Sequence, residues 1–394
     1  MHAPPDLIVR GLALDSRKVE EGFLFFALPG EKEDGGEFIA EAKARGAACA
    51  VCEHPPETEI PYILVPDAHK ALALCAAVWY GTPAGKLTVV GVTGTNGKTT
   101  TTYLIKQLLE RTKGAKVGLI GTNQNLISDK TIPTDRTTPD ALTVQRLLAQ
   151  MVDAGCTYAV MEVSSHALMQ SRVEGIRFRV GVFTNLTQDH LDWHGSMEAY
   201  GEAKARIFGE KTVRVLNRED AAVMKMASAD APVVTFGTDE PLEPSSFGLH
   251  LDRDMEWLAV MSPVEDGIVR RNKKNDAPLE YAVQNLMPAG ALKIRGRHNA
   301  SNALAALALC RAIHLPFAPL LQALSDYRGE PHRVELIATV KTVSYIDDSK
   351  GTNVGATVAA VNGLGEKGRK NIILIAGGLG KDQDFSPLSE VVAQ

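Results

Sequence analysis

The sequence predicts an α/β protein organised on a mostly parallel sheet covered by helices, and three observations carry that prediction. The run Leu87–Thr93 is rich in β-branched residues, leads directly into Gly94-Thr95-Asn96-Gly97-Lys98-Thr99-Thr100, and is followed by Leu104, Ile105, Leu108 and Leu109 at helical spacing. Two further strands of the buried type, 158–163 and 180–185, alternate with helical segments at 141–151 and 197–208. Apolar residues make up 45% of the chain and charged residues 23%, a globular composition rather than a disordered or fibrous one.

The elements follow in order. From Leu12 to Cys52 the pattern is a short β-rich unit: Leu14-Asp15-Ser16-Arg17, the apolar run Gly22–Gly30, then a helical stretch ending near Arg45-Gly46. A helix-like run at 71–80 is broken by Pro83-Ala84-Gly85-Lys86, which marks the first boundary. The strand, glycine loop and helix at 87–109 open the second unit. Residues 239–290 are less regular and read as loops with antiparallel excursions. A helix at 300–313 and a turn at 326–331 precede a new β unit, 343–347 and 371–376, ending in Gly377-Gly378-Leu379-Gly380. At about 150 residues per domain, 394 residues hold two to three cores, which excludes a single small binding module. The last unit has about sixty residues, fewer than a doubly wound domain of typical size.

Charge and cysteine usage narrow the function. Lys and Arg number 42 against 47 Asp and Glu, a net charge of −5, so no global basic field holds a nucleic-acid backbone or an anionic membrane. Residues 1–6 have neither a basic start nor an apolar run, and no stretch approaches the ~18 apolar residues of a membrane span. Five scattered cysteines are too few for a disulfide framework, and the expected location is the cytoplasm. Cys49 and Cys52 form a C-x-x-C inside an apolar stretch and read as buried strand thiols rather than a redox or zinc pair.

Chemistry concentrates at the ends of the predicted strands. The loop 94–100 places glycines where backbone N–H groups approach phosphate oxygens, Lys98 as a cation, and the Thr99 hydroxyl where Mg²⁺ would sit. Val92 stands where the strict form of the motif has its first glycine. Glu162 closes an otherwise apolar strand. In a parallel sheet it faces the crevice that the loop opens, as a hard oxygen ligand for Mg²⁺ or, alternatively, as a cap on a nearby helix. His190 follows the next strand in the company of Asp189, Asp192 and His194.

These motifs, with Glu162-Val163-Ser164-Ser165-His166, residues 184–195 and Gly296-Arg297-His298-Asn299-Ala300-Ser301-Asn302, resemble the Mur ligases over nearly the whole chain. The resemblance implies three domains: a UDP-substrate-binding unit at 1–85, a central phosphate-loop ATPase unit with a parallel sheet at 86–330, and an incomplete Rossmann-like amino-acid-binding unit at 331–394. To about residue 208 the motifs are of the type that adds the third peptide residue (MurE-like), including Leu14–Arg17, 136–140 and 164–172. From about residue 211 the stretches 328–335, 347–353 and 380–387 resemble the ligase that adds D-glutamate (MurD-like). The chain therefore reads as a hybrid with a truncated C-terminal domain.

What the resemblance implies residue by residue is as follows. Gly94, Thr95, Asn96, Gly97, Lys98, Thr99 and Thr100 cradle ATP phosphates, and Thr99, Glu162 and His190 hold Mg²⁺. Asn299 contacts adenine, and Arg333, Asp348 and Lys350 approach the nucleotide from the C-terminal side. Leu14, Ser16 and the turn at 31–33 meet the UDP end, while Thr137, Thr138, Ser164, Gln170 and Arg172 hold the muramoyl-peptide side. Lys204 matches a lysine the family carbamoylates. The implied catalytic set is Lys98, Glu162, His190 and Lys204.

The implied function is ATP-dependent amide formation in peptidoglycan precursor synthesis. An amino acid, diaminopimelate or lysine, joins UDP-N-acetylmuramoyl-L-alanyl-D-glutamate through an acyl phosphate. Addition of D-glutamate to UDP-N-acetylmuramoyl-L-alanine is the alternative, as is a nucleotide binder without turnover. A folylpolyglutamate-type ligase leaves the unit before the loop unexplained, and a phosphate-loop motor requires a Walker-B aspartate where Glu162 stands. The expected partners are the UDP-muramoyl peptide and an amino acid, with no nucleic acid or membrane, and the expected state is a monomer.

Overall fold

The computed structural model describes residues 4, 6–30, 33–264, 280–365, 369–380 and 383–393. Among these, three sheets form. The largest has eleven strands in the spatial order Tyr281–Pro288, Met255–Pro263, Ser246–Asp252, Val233–Phe236, Val213–Asn217, Val180–Phe183, Thr88–Thr93, Tyr158–Glu162, Val117–Ile120, Asn125–Ile127 and Lys130–Ile132. Its seven inner strands, from Ser246–Asp252 to Val117–Ile120, pair in parallel. Both margins are antiparallel. Val90 lies opposite Val180 on one side and Val160 on the other, so the strand Thr88–Thr93 is flanked by both motif-bearing neighbours. Its carboxyl end and theirs open into one crevice.

Each face of this sheet is covered by helices whose apolar stripes the spacing had indicated. On one side Leu104, Ile105, Leu108 and Leu109 of the helix Lys98–Lys113 are fully buried against the helix Arg297–Ala312 and the strands beneath. On the other, Val144, Leu147, Leu148 and Met151 of the helix Ala141–Asp153 pack with Val89, Ile120 and Met161. Asp140 caps that helix, accepting from the Thr143 amide at 2.9 Å.

A separate four-stranded parallel sheet, Gly11–Ala13, Phe23–Phe26, Cys49–Cys52 and Tyr62–Leu64, builds the N-terminal unit with the helices Ile39–Ala44 and Ala68–Trp79. Cys49 and Cys52 are buried in its third strand, and burial pushes the Cys49 thiol up to about 11, the state of an inert core thiol. At 239–290, where the sequence predicts antiparallel excursions, the described residues form Ser246–Asp252, which is parallel to Val233–Phe236 and antiparallel to Met255–Pro263, and the antiparallel marginal strands Met255–Pro263 and Tyr281–Pro288.

The C-terminal unit departs from expectation. Glu335–Val340 and Val343–Asp347 form a hairpin, followed by the helix Val354–Leu364. Residues 371–376, expected as a strand, form none: their ladder finds no partner among the described strands, and Ile373 and Ile375 are each 93% exposed. Among the described residues no helix is long and apolar enough to cross a membrane.

Candidate active site

The loop Gly94–Gly97 leaves the central strand in a conformation that glycine permits. Gly94 has φ +134° and Gly97 +84°, and a Cβ at either would collide with Thr184 Oγ1 or Asn302 Oδ1 respectively. The loop is braced from the neighbouring strand end. Asn185 Oδ1 accepts from the Asn96 amide at 2.9 Å, and the Asn96 carbonyl accepts from Thr184 Oγ1 at 2.6 Å and Asn185 Nδ2 at 3.1 Å. Lys98 Nζ curls back to donate to the carbonyls of Gly94 and Thr95, both at 2.8 Å. Burial pulls its pKa below the usual lysine range, against the pull of Glu162.

Thr99, in the first turn of the helix Lys98–Lys113, meets Glu162 at the end of its strand: Thr99 Oγ1 donates to Glu162 Oε2 at 2.9 Å. Glu162 is fully buried, and Thr122 completes its shell by donating its amide and its hydroxyl, each at 2.9 Å. Arg333 reaches across from the C-terminal unit to donate to Thr99 Oγ1 at 2.7 Å, while its buried Nε has no partner. A hydroxyl and a carboxylate are hard oxygen donors suited to Mg²⁺, and the loop amides with Lys98 and the unmet Arg333 donor suit phosphate oxygens. The residues present fit both groups.

Thr95 to Thr100, Glu162, Thr137, His190, Asn299, Arg333, Asp348 and Lys350 line one cleft of about 1330 Å³. His190 sits at φ +53° in a cluster of rings, meeting His166 edge-on with centroids 4.8 Å apart and Tyr200 at 6.3 Å. The Asn299 carboxamide donates to the carbonyl of Arg295, just before its helix, at 2.8 Å and accepts from Asn302 Nδ2 at 3.3 Å. Burial raises the Asp348 carboxyl, whose Oδ1 accepts from the Val334 amide.

Lys204 is 2% exposed and lies beneath the loop, its Nζ donating to the Gly94 carbonyl at 2.9 Å and standing 4.4 Å from the Tyr200 ring centroid. Burial, then the Lys98 charge, holds it well below the lysine range. This is not a solvated surface lysine.

The residues expected to hold the muramoyl side gather next to Glu162. Thr138 Oγ1 donates to the Glu162 carbonyl at 2.8 Å and accepts from the Ser164 amide at 3.1 Å. Arg172 grips Gln170 Oε1 with Nε at 3.0 Å and Nη2 at 2.5 Å, and Thr138 O with Nη1 at 2.9 Å. Ser164 caps the helix Ser165–Met169. Leu14 and Ser16 lie in the N-terminal unit, where Leu14 packs against a core cluster and Ser16 Oγ donates to Glu41 at 2.7 Å. Of the turn at 31–33, residues 31 and 32 lie outside the described residues.

Sequence reasoning assigned no role to Thr122, Thr184, Asn185 or Asn353. The first lies in a loop with no motif. Thr184 and Asn185 were legible as strand-end polar residues after an apolar run.

A parallel sheet whose central strand feeds a phosphate loop, with a buried acidic strand end bonded to the loop threonine, defines the phosphate-loop class of α/β protein. Within it, the chain belongs to the Mur ligase family: the Mur ligase middle domain matches residues 92–310, and the Mur ligase family catalytic domain matches residues 8–80. It is 50% identical over 314 residues to a UDP-N-acetylmuramoylalanine--D-glutamate ligase of Ralstonia nicotianae, covering 78% of this chain and 58% of that one. A Burkholderia cenocepacia protein of the same name is 49% identical over 326 residues, covering 80% and 60%. A solved UDP-N-acetylmuramoyl-L-alanyl-D-glutamate--2,6-diaminopimelate ligase superposes with a TM-score of 0.68 at 25% identity, covering 90% of this chain and 70% of that one. The chain thus spans about 60% of the length of the curated relatives it matches. Those relatives carry the D-glutamate name and lend no support to the MurE-like reading of residues up to about 208.

Proposed function

We propose that the chain acts in ATP-dependent amide formation, adding D-glutamate to UDP-N-acetylmuramoyl-L-alanine, the reaction for which its curated relatives are named. The observation that carries this is the cleft in which the phosphate loop, the Thr99–Glu162 pair and Arg333 converge. The proposed domains are a UDP-substrate unit at 1–85, the ATPase unit at 86–330 and an amino-acid unit from 331. Mg²⁺, when bound by Thr99, Glu162 and His190, offsets phosphate charge. Lys98 leaves its loop carbonyls for the triphosphate, and Arg333 approaches the γ-phosphate from the far side. Transfer of the γ-phosphoryl to the acceptor carboxylate gives an acyl phosphate and ADP, and attack by the amine of the amino acid releases phosphate and forms the amide. Thr137, Thr138, Ser164, Gln170 and Arg172 hold the acceptor beside Glu162, with Leu14 and Ser16 at its UDP end; Asn299, Asp348 and Lys350 hold the nucleoside.

Lys204 enters as a carbamate. Burial lowers the pKa of its amine, which favours the neutral form that adds CO₂ with loss of a proton, and the resulting anion would supply oxygen ligands where an ammonium would repel Mg²⁺.

Mass spectrometry of products after incubation with ATP, Mg²⁺, D-glutamate and either UDP-muramoyl acceptor tests the assignment. The expected product is UDP-N-acetylmuramoyl-L-alanyl-D-glutamate, with ADP. Lys98→Ala should lower turnover by two orders of magnitude or more. A second reading, diaminopimelate or lysine on the dipeptide acceptor, is favoured by the 0.68 superposition, and a tripeptide product would establish it instead.

A further inference from the structure

The phosphate loop is held from two sides, and the second side was not foreseen. The backbone of Asn96 is fixed by Thr184 and Asn185, and its carboxamide donates from Nδ2 to Thr187 Oγ1 of the same unit at 3.3 Å. That carboxamide meets Asn353, 257 residues further on, in a reciprocal pair. Asn353 Nδ2 donates to Asn96 Oδ1 at 2.8 Å, and Asn96 Nδ2 donates to Asn353 Oδ1 at 3.3 Å. Asn353 is itself immobilised. It is 9% exposed, and the same Oδ1 caps the helix Val354–Leu364 by accepting from the Ala356 amide at 2.8 Å. The first turn of that helix also approaches the loop, since a Cβ at Gly355 would lie 3.4 Å from Thr187 Oγ1 and 3.5 Å from Asn96 Nδ2.

We infer that Asn353 is a positioning residue that completes the nucleotide site, holding the side chain of the loop's Asn96 from across the cleft. This rests on the nucleotide reading above and deepens it. A two-bond amide pair fixes both the distance and the rotation of the loop side chain, whereas a single bond leaves it free to swing. Arg333 adds a bond between the same unit and the loop's helix, at Thr99.

Capping and clasping are separable because serine caps a helix about as well as asparagine but is too short to reach Asn96, whereas alanine does neither. The test is calorimetric binding of β,γ-imido-ATP with Mg²⁺ to the full chain, alongside thermal melting. Asn353→Ser and Asn353→Ala should each weaken binding about tenfold, the range for a lost pair of neutral hydrogen bonds, while only Asn353→Ala melts lower. Asn96→Ser should weaken binding similarly, and the double variant Asn96→Ser/Asn353→Ser should bind no worse than the weaker single variant. Asn353→Ser binding within twofold of the unsubstituted chain would overturn the inference and leave Asn353 as a cap only. So would losses that multiply in the double variant. If the unsubstituted chain binds no nucleotide, the reading of the cleft fails and the inference falls with it, an outcome distinct from normal binding by the serine variant.

Discussion

Glu330 shows at the scale of one residue how burial writes a pH dependence into this fold. It follows Tyr327, whose hydroxyl donates to Glu330 Oε1 at 3.2 Å, and desolvation pushes its carboxyl up to about 7. In the unfolded chain the group titrates near the ordinary glutamate value of 4.5. Between about 4.5 and 7 the folded state keeps a proton that the unfolded state releases, so stability falls as pH rises through that window and stays lower above it. Glu330→Gln, which keeps the acceptor for Tyr327, should flatten this slope and stabilise the protein at pH 8 by on the order of 2–3 kcal/mol. Urea midpoints at pH 5 and pH 8 check it, and equal slopes in variant and parent would refute the assignment. At this scale the placement of Lys98, Thr99 and Glu162 was legible because a strand, a glycine loop and a helix fix where their side chains must go. The burial of Lys204 was not, because a lysine on a charged helix gives no local sign of what covers it.

Among the elements, the loop at 94–97 carries the tightest local constraint. The Gly94 backbone at φ +134° lies where side chains are strained, and the space a Cβ would need is already filled by Thr184 Oγ1. Gly94→Ala should therefore cost about 2–4 kcal/mol of stability, from strain and overpacking together, and displace the carbonyl that Lys98 and Lys204 both use. Chemical denaturation measures the cost; a variant as stable as its parent shows that the loop relaxes freely. The strands 88–93, 158–162 and 180–183 were readable because each is a continuous apolar run bounded by turn residues. Val213–Asn217 and Val233–Phe236 were not singled out. Arg214, Asn217 and Thr235 interrupt their apolar pattern, so their identity as strands comes from the parallel ladder they join. Residues 371–376 failed in the opposite direction: the local preference for strand is strong, and no described neighbour offers a ladder.

For the whole molecule, the cleft is a joint between units. Its walls come from the central sheet, through Lys98, Thr99 and Glu162, and from the C-terminal unit, through Arg333, Asp348 and Asn353. The C-terminal unit has little core of its own: Leu336, Ile337, Val340 and Tyr345 of its hairpin are exposed, and Asn353, Val354 and Ala360 are its buried residues. Without ligand it should melt below the central sheet, whose strands are buried on both faces. On the proposed reading Mg²⁺ with β,γ-imido-ATP would engage groups on both walls, so at a hundredfold excess over its dissociation constant it should add about 2.7 kcal/mol. For a unit of about 250 residues, the length of 86–330, that corresponds to an upward shift of roughly 5–10 °C. Because the ligand ties the two walls together, the shift should bring the lower transition toward the upper one rather than move the upper one alone. Scanning calorimetry with and without ligand reads both transitions, and Lys98→Ala should abolish most of the shift while leaving the unliganded trace in place. A ligand that raises only the upper transition binds the central sheet without engaging Arg333, Asp348 and Asn353, and the joint would then play no part in nucleotide binding.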